Sequence, residues 1–279
     1  MSINDIQQQI TLPNVWYGTQ LAALFFSFLS FTTNFKTVYT LAYISIATSF
    51  IISLYQSLTA TQKANASKNT EESTQNKTTV LDDPKQKIVE FVNSIKPLIK
   101  PAQSHATTPY ILLSLACIFI LPRSTLTLTP YAIFAFFHAL NYTRTFVLPR
   151  LGLNANIQSQ ANIVMEYINT RFHTPAFKAA VWSQLFTFLT TVVSTLINFP
   201  LNIVGYGDGH SMLNFTAVFI WLSFISAVMK DNILMRAAIN EIVTIVDDVT
   251  LDPRIPSQVR GAWLKAKHII TYKSLDGTK

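Results

Sequence analysis

Between Lys178 and Asp208 the chain carries no acidic or basic side chain, a stretch of 29 residues rich in Phe, Leu, Val and Thr. Roughly 20 consecutive apolar residues in a helix cross the hydrocarbon core of a bilayer, so a run of this length constrains the fold more than anything else in the sequence. It does not stand alone. Residues 16–35 (WYGTQLAALFFSFLSFTTNF), 37–59 and 211–229 (SMLNFTAVFIWLSFISAVM) are also free of charge. Acidic and basic residues make up 13% of the chain, about half the share of a soluble domain. Inside lipid every backbone N–H and C=O must be satisfied within the segment, which leaves helices as the structure for such runs. The expected fold class is therefore all-α: a polytopic membrane protein with about six transmembrane or hairpin helices plus cytosolic amphipathic helices.

The runs pair into three hairpins. Residues 1–59 form the first, 108–148 a second, shorter one, and 178–230 the third; residues 60–107, 149–177 and 231–279 form the cytosolic pieces between and after them. Pro109 and Pro130 suit the first turns of the two middle helices. That pair is the weaker one, because Pro122 and Arg123 interrupt its first helix, His138 and Arg144 mark its second, and its uninterrupted apolar cores fall short of a comfortable span. Gly205, Gly207 and Gly209 supply the turn of the third hairpin. The opening MSINDIQQQITLPN lacks a basic segment followed by an early apolar one, so the first hydrophobic helix is expected to direct insertion itself and the N-terminus to be retained.

Basic residues set orientation, since Lys and Arg near membrane spans stay on the cytosolic side. Residues 60–107 carry seven, the 144–178 segment four and the tail after residue 229 eight, whereas the far-side turns carry only Lys36 and Arg123. Nineteen of the twenty-one thus fall on one side. Both termini are expected to be cytosolic, and the far-side turns are too short to fold into anything.

Residues 61–83 have almost no aliphatic or aromatic side chain and read as a flexible linker. Asn65 and Asn76 sit in glycosylation sequons that a cytosolic loop never exposes to the glycosylating enzyme. The following PKQKIVEFVNSIKPLIK is amphipathic. In the tail, residues 233–249 place Met235, Ala238, Ile242 and Val246 on one face and Arg236, Glu241, Asp247 and Asp248 on the other. This acidic face suits packing against protein rather than anionic lipid. After LDPRIP, Pro256 opens a second amphipathic helix in which Val259, Trp263, Ile269 and Ile270 share an arc, with Arg260, Lys265 and Lys267 around it. Trp with Lys and Arg is an interfacial composition, and each cation near an anionic leaflet contributes on the order of 1 kcal/mol. Val259, Arg260, Trp263, Lys265, Lys267, Ile269 and Ile270 are thus the candidate membrane-binding residues. The rival reading of this basic helix is a signal for an import receptor.

FFHALNYTRTFVLPRLG (136–152) sets His138, Asn141, Tyr142 and Thr145 on one helical face. Ionisable groups at membrane depth point to function, so a channel or transporter using the His138 face is the alternative reading. Against it, none of the six expected spans contains Asp or Glu, so a proton or cation relay lacks its acids. Arg144 is placed to snorkel to the boundary. Enzyme signatures fare no better: His105, His138, His173, His210 and His268 stand far apart, with no HExxH, no nucleophile elbow and no glycine-rich phosphate loop. Asp247 and Asp248 read as a solvated helix face and Asp252 precedes a proline. Cys117, the only cysteine, excludes an intrachain disulfide and a thiolate-clustered metal site. No catalytic residue, cofactor, metal or nucleic-acid partner is expected.

At these residues the chain resembles the transmembrane protein 33 family, in particular its fungal pore-membrane nucleoporin branch. The matching pattern is His138, Ala139, then Tyr142, Thr143 and Arg144, with Gly152 a short interval later. A second block is NEIVTIVDDV (240–249) followed by Pro253, Pro256, Val259 and Arg260. The resemblance implies a non-enzymatic integral protein of the endoplasmic reticulum and nuclear envelope, associated with reticulon-type membrane shapers and nuclear pore complex components. It implies no catalytic role for the His-Ala-x-x-Tyr-Thr segment, which reads as a packing and membrane-exit motif. One-sided hairpins with amphipathic helices on the same leaflet occupy more area there, which favours positive curvature.

Overall fold

A computed structural model of the chain describes residues 12–33, 35–69, 105–203, 211–252 and 254–275. The amphipathic stretch at 84–100 and the glycine turn at 204–210 lie outside the described residues. Every described element is helical. In order they are α1 (Leu12–Thr33), α2 (Lys36–Asn69), α3 (Thr108–Phe119), a 3₁₀ turn (Thr125–Leu128), α4 (Thr129–Tyr142), α5 (Ala155–Ile203), α6 (Ser211–Asp231), α7 (Ile233–Thr250) and α8 (Ser257–Leu275). A π-helical turn (Thr143–Val147) and a short 3₁₀ turn (Leu148–Arg150) extend α4. The chain is thus an all-α membrane protein.

Two helices, Lys36–Thr61 and Ala155–Phe199, are long and apolar enough to cross a bilayer among the described residues; a third span arises if α6 and α7, bent by 116° at their junction, are one broken segment. Pro109 and Pro130 occupy the first turns of α3 and α4. There the missing N–H costs nothing, because no intrahelical acceptor was available for it. At about 1.5 Å per residue α3 and α4 are only some 18–21 Å long, short of the roughly 30 Å hydrocarbon core.

The middle pair differs from a simple hairpin. α3 lays its backbone against α2 and α6, whereas α4 lies against α1 and α5. Between themselves they touch through rings, Tyr110 meeting Tyr131 and Phe134 edge-on at 6.4 and 5.8 Å. Aromatic side chains of this size bridge helices whose axes stay apart, which a one-dimensional reading of adjacent apolar runs does not reveal. Two further boundaries look different in three dimensions. α5 runs unbroken across residues 177–178, so no helix end marks the expected start of the third membrane segment. α2 continues to Asn69, into the segment expected to be a flexible linker, because its Ala, Gln and Lys residues propagate a helix already nucleated in the apolar run.

One apolar core joins α2 to α7, including Tyr43, Leu113, Leu128, Val181, Trp221 and Met235. At its centre Thr127 Oγ1 donates to the Ser124 carbonyl at 2.6 Å, so its lone pairs are left to accept from Tyr43 at 2.5 Å and Tyr39 at 3.3 Å. The helix ends pair in register. Tyr39 and Tyr43 near the start of α2 meet Thr127 before α4, while at the other end Ser57 of α2 bonds His105 before α3 at 2.9 Å. Tyr142 at the end of α4 likewise meets Asn14 in the first turn of α1.

Candidate functional site

The motif residues His138, Ala139, Tyr142, Thr143 and Arg144 sit where α4 passes into its π-helical turn. An extra residue in one turn rotates the chain beyond it, and such bulges recur where a helix re-aims side chains. Ala139 and Tyr142 are buried. The Tyr142 hydroxyl donates to Asn14 Oδ1 at 2.6 Å, and its ring stacks on Tyr17 at 4.7 Å. Thr143 donates its proton to the Ala139 carbonyl at 2.7 Å, so Tyr17 is the donor in the 2.9 Å contact between the two hydroxyls. His138 meets Trp16 edge-on at 5.5 Å, and Trp16 in turn donates from Nε1 to Ser53 Oγ at 2.8 Å. Arg144 pairs with Glu166 of α5 at 3.0 Å. The segment therefore clasps the first turns of α1 and the early part of α5.

The polar face expected of this helix divides. Tyr142 turns inward, whereas His138, Asn141 and Thr145 stay at the helix surface. The cavity beside His138, lined by Gln20, Ser49, Tyr131 and others, holds about 10 Å³, room for a single water at most. Gln20 already donates to Ser49 Oγ there at 2.6 Å. An aqueous path does not run through that space in this conformation. A surface hollow of about 560 Å³ between α3 and α6 is lined by groups such as Leu112, Phe119, Phe219 and Ile220 and offers no acid or base. Among the described residues no group of three or more His, Cys, Asp or Glu side chains could hold a metal ion.

The tail gathers its chemistry around one carboxylate. α6 ends at Asp231, and Asn232, in extended conformation, caps α7 by accepting from the Met235 amide at 3.0 Å. α7 buries Met235 and Ala238 against the core but leaves Ile245, Val249 and the following Leu251 exposed. From its polar face Asp247 accepts from Trp263 Nε1 of α8 at 2.7 Å and from Lys267 Nζ at 2.5 Å. These donors, Lys267 first, hold the Asp247 carboxyl below the ordinary aspartate range. Arg260 reaches back to the Thr250 and Asp252 carbonyls, at 3.1 and 3.4 Å, placing a cation on the C-terminal end of the α7 dipole.

Of the candidate membrane-binding residues, Arg260, Trp263 and Lys267 therefore face α7, while Val259 and Lys265 are exposed. The side chains of Ile269 and Ile270 lie outside the described ones. Asp247 is the residue that sequence reasoning passed over as a solvated surface acid. A signal was present: an acid on the polar face of one helix, a short Pro-containing connector, then indole and ammonium donors one turn apart on the next.

A family model described as Transmembrane protein 33/Nucleoporin POM33 matches residues 99–274. The chain belongs to this family. Both resembling blocks fall inside the match, and the second contains Asp247 and Arg260. No curated protein and no solved structure matches the chain.

Proposed function

We propose that this member of the family is a non-enzymatic integral protein of the nuclear envelope and endoplasmic reticulum that senses or stabilises membrane curvature and supports nuclear pore complex assembly or distribution. The family supports the compartment, since its description names a transmembrane protein and a nucleoporin, and it is not a known enzyme family. The curvature role rests on the tail. α7 leaves α6 at 116°, and with α8 it exposes Ile245, Val249, Leu251, Val259 and Leu264. Apolar groups on helices that turn sharply away from a span are suited to lie in the interface of the leaflet they leave. With the basic residues expected on that same leaflet, and both termini cytosolic, the protein wedges one side of the bilayer.

Residues 256–273 are the proposed lipid-binding element and anionic lipid its first partner. Pore components and reticulon-type shapers are proposed partners on the strength of family membership, and an import receptor at the basic α8 is the competing one. Flotation of the tail peptide with anionic liposomes tests the element. Wild type is expected to float, more with small vesicles than with large, and Trp263→Asp or Ile270→Asp to remain at the bottom of the gradient. Equal flotation of all three sinks the reading.

A further inference from the structure

The same side chains that suit α8 to a membrane surface are spent inside the protein. Trp263 and Lys267 lie one turn apart on α8 and both donate to Asp247, whose side chain retains only 28% of its exposure; Lys267 retains 38%. Among the described residues, α8 also packs against a few residues of α6 and α7. Flanking that face, Val259 and Leu264 are exposed. A docking face built on one doubly bonded, part-exposed carboxylate and one capping arginine is open to competition for those polar contacts.

We infer that Asp247 is a latch: it keeps Trp263 and Lys267 on α7 and withholds them from lipid, and an anionic leaflet opens it by offering Lys267 a competing set of negative oxygens. The chemistry is an exchange of like for like. A phosphate or carboxylate of a lipid headgroup accepts from the ammonium as Asp247 does, and the freed indole gains the headgroup interface in place of its single bond. Neutral headgroups bring no net negative charge to compete, so the latch reads lipid charge. Burying Trp263 then adds the apolar term that the docked helix forgoes. The inference rests on the proposal that α8 binds lipid, and adds the condition under which it does so.

The test uses the full chain in nanodiscs, with its four tryptophans as 5-fluorotryptophan and the Trp263 resonance identified by Trp263→Phe. Spin-labelled lipid broadens that resonance when the indole enters the bilayer, and the phosphatidylserine fraction is raised in steps from pure phosphatidylcholine. Wild type is expected to show no broadening in phosphatidylcholine and a transition at an intermediate phosphatidylserine fraction. Asp247→Asn keeps an acceptor for the indole but loses the ion pair; at the wild-type midpoint its ratio of inserted to docked tail is expected to rise roughly fivefold. Hydrogen exchange of residues 257–268 in phosphatidylcholine is expected to speed up in the same variant. Identical midpoints for the two proteins overturn the latch and leave lipid binding standing, as does a broadened wild-type resonance in pure phosphatidylcholine. Absence of broadening at every composition in both proteins overturns the latch and the lipid-binding proposal together.

Discussion

Tyr142 makes two separable contacts, a hydroxyl bond to Asn14 and a stack on Tyr17. Tyr142→Phe keeps the ring and loses the bond, an expected cost of about 0.5–1.5 kcal/mol; Tyr142→Ala empties the site, at about 3–5 kcal/mol. Thermal unfolding in detergent should rank wild type above Phe and Phe well above Ala, and equal losses for the two variants would mean that the ring packs nothing. Thr127 is the second residue with consequences beyond itself. Thr127→Val leaves the buried Tyr43 hydroxyl without this acceptor, at about 1–3 kcal/mol, and the same melting assay reads it. The motif at 138–144 was legible as polar residues on a helix. Its partners were not, because Asn14, Trp16 and Tyr17 precede it by more than a hundred residues and helical periodicity carries no information about which other helix a face meets. The π-helical turn was equally hidden, since no residue type announces it.

At the scale of elements, α7 and α8 form a small unit with its own acid–base logic. Asp247 is depressed by Lys267 and then Trp263, so its contribution to docking is complete above the ordinary aspartate value near 3.8 and is lost only as pH falls through the depressed value. The Trp263 indole resonance should hold steady from neutrality down to that value and move below it, with Asp247→Asn flat throughout; a transition centred above it contradicts the assignment. Asn232→Ala removes the side-chain cap of α7 and is expected to cost about 1 kcal/mol, seen as faster amide exchange in the first turns of α7 while α2 keeps its protection. The helices themselves were legible from charge-free runs and from Pro109 and Pro130, because lipid leaves the backbone few options. Their ends were not. α5 is about 70 Å long by its residue count, more than twice the hydrocarbon core, and nothing at Phe177 or Lys178 breaks it, so membrane boundary and helix boundary are different things here.

For the molecule as a whole, the helix ends pair into two groups. Asn14, Ser57, His105 and Tyr142 share one end of the helices, through hydrogen bonds between α1 and α4 and between α2 and the start of α3. Tyr39, Tyr43 and Thr127 share the other. Lys36 and Arg123, the two cations set apart in the sequence count, sit close to that second group along the chain. The central claim is that the first end, with α7 and α8, faces the cytosol and the second does not. Its most direct measurement is single-cysteine labelling of the Cys117→Ala protein in sealed microsomes with a membrane-impermeant maleimide, one cysteine at a time replacing Lys36, Ala60, Arg123, Gln160 or Leu275. Positions 60, 160 and 275 are predicted to react at once, and 36 and 123 only after the membrane is permeabilised. Protection of position 60 or 275 in sealed vesicles, or immediate reaction at 123, contradicts the one-leaflet arrangement and the curvature role built on it.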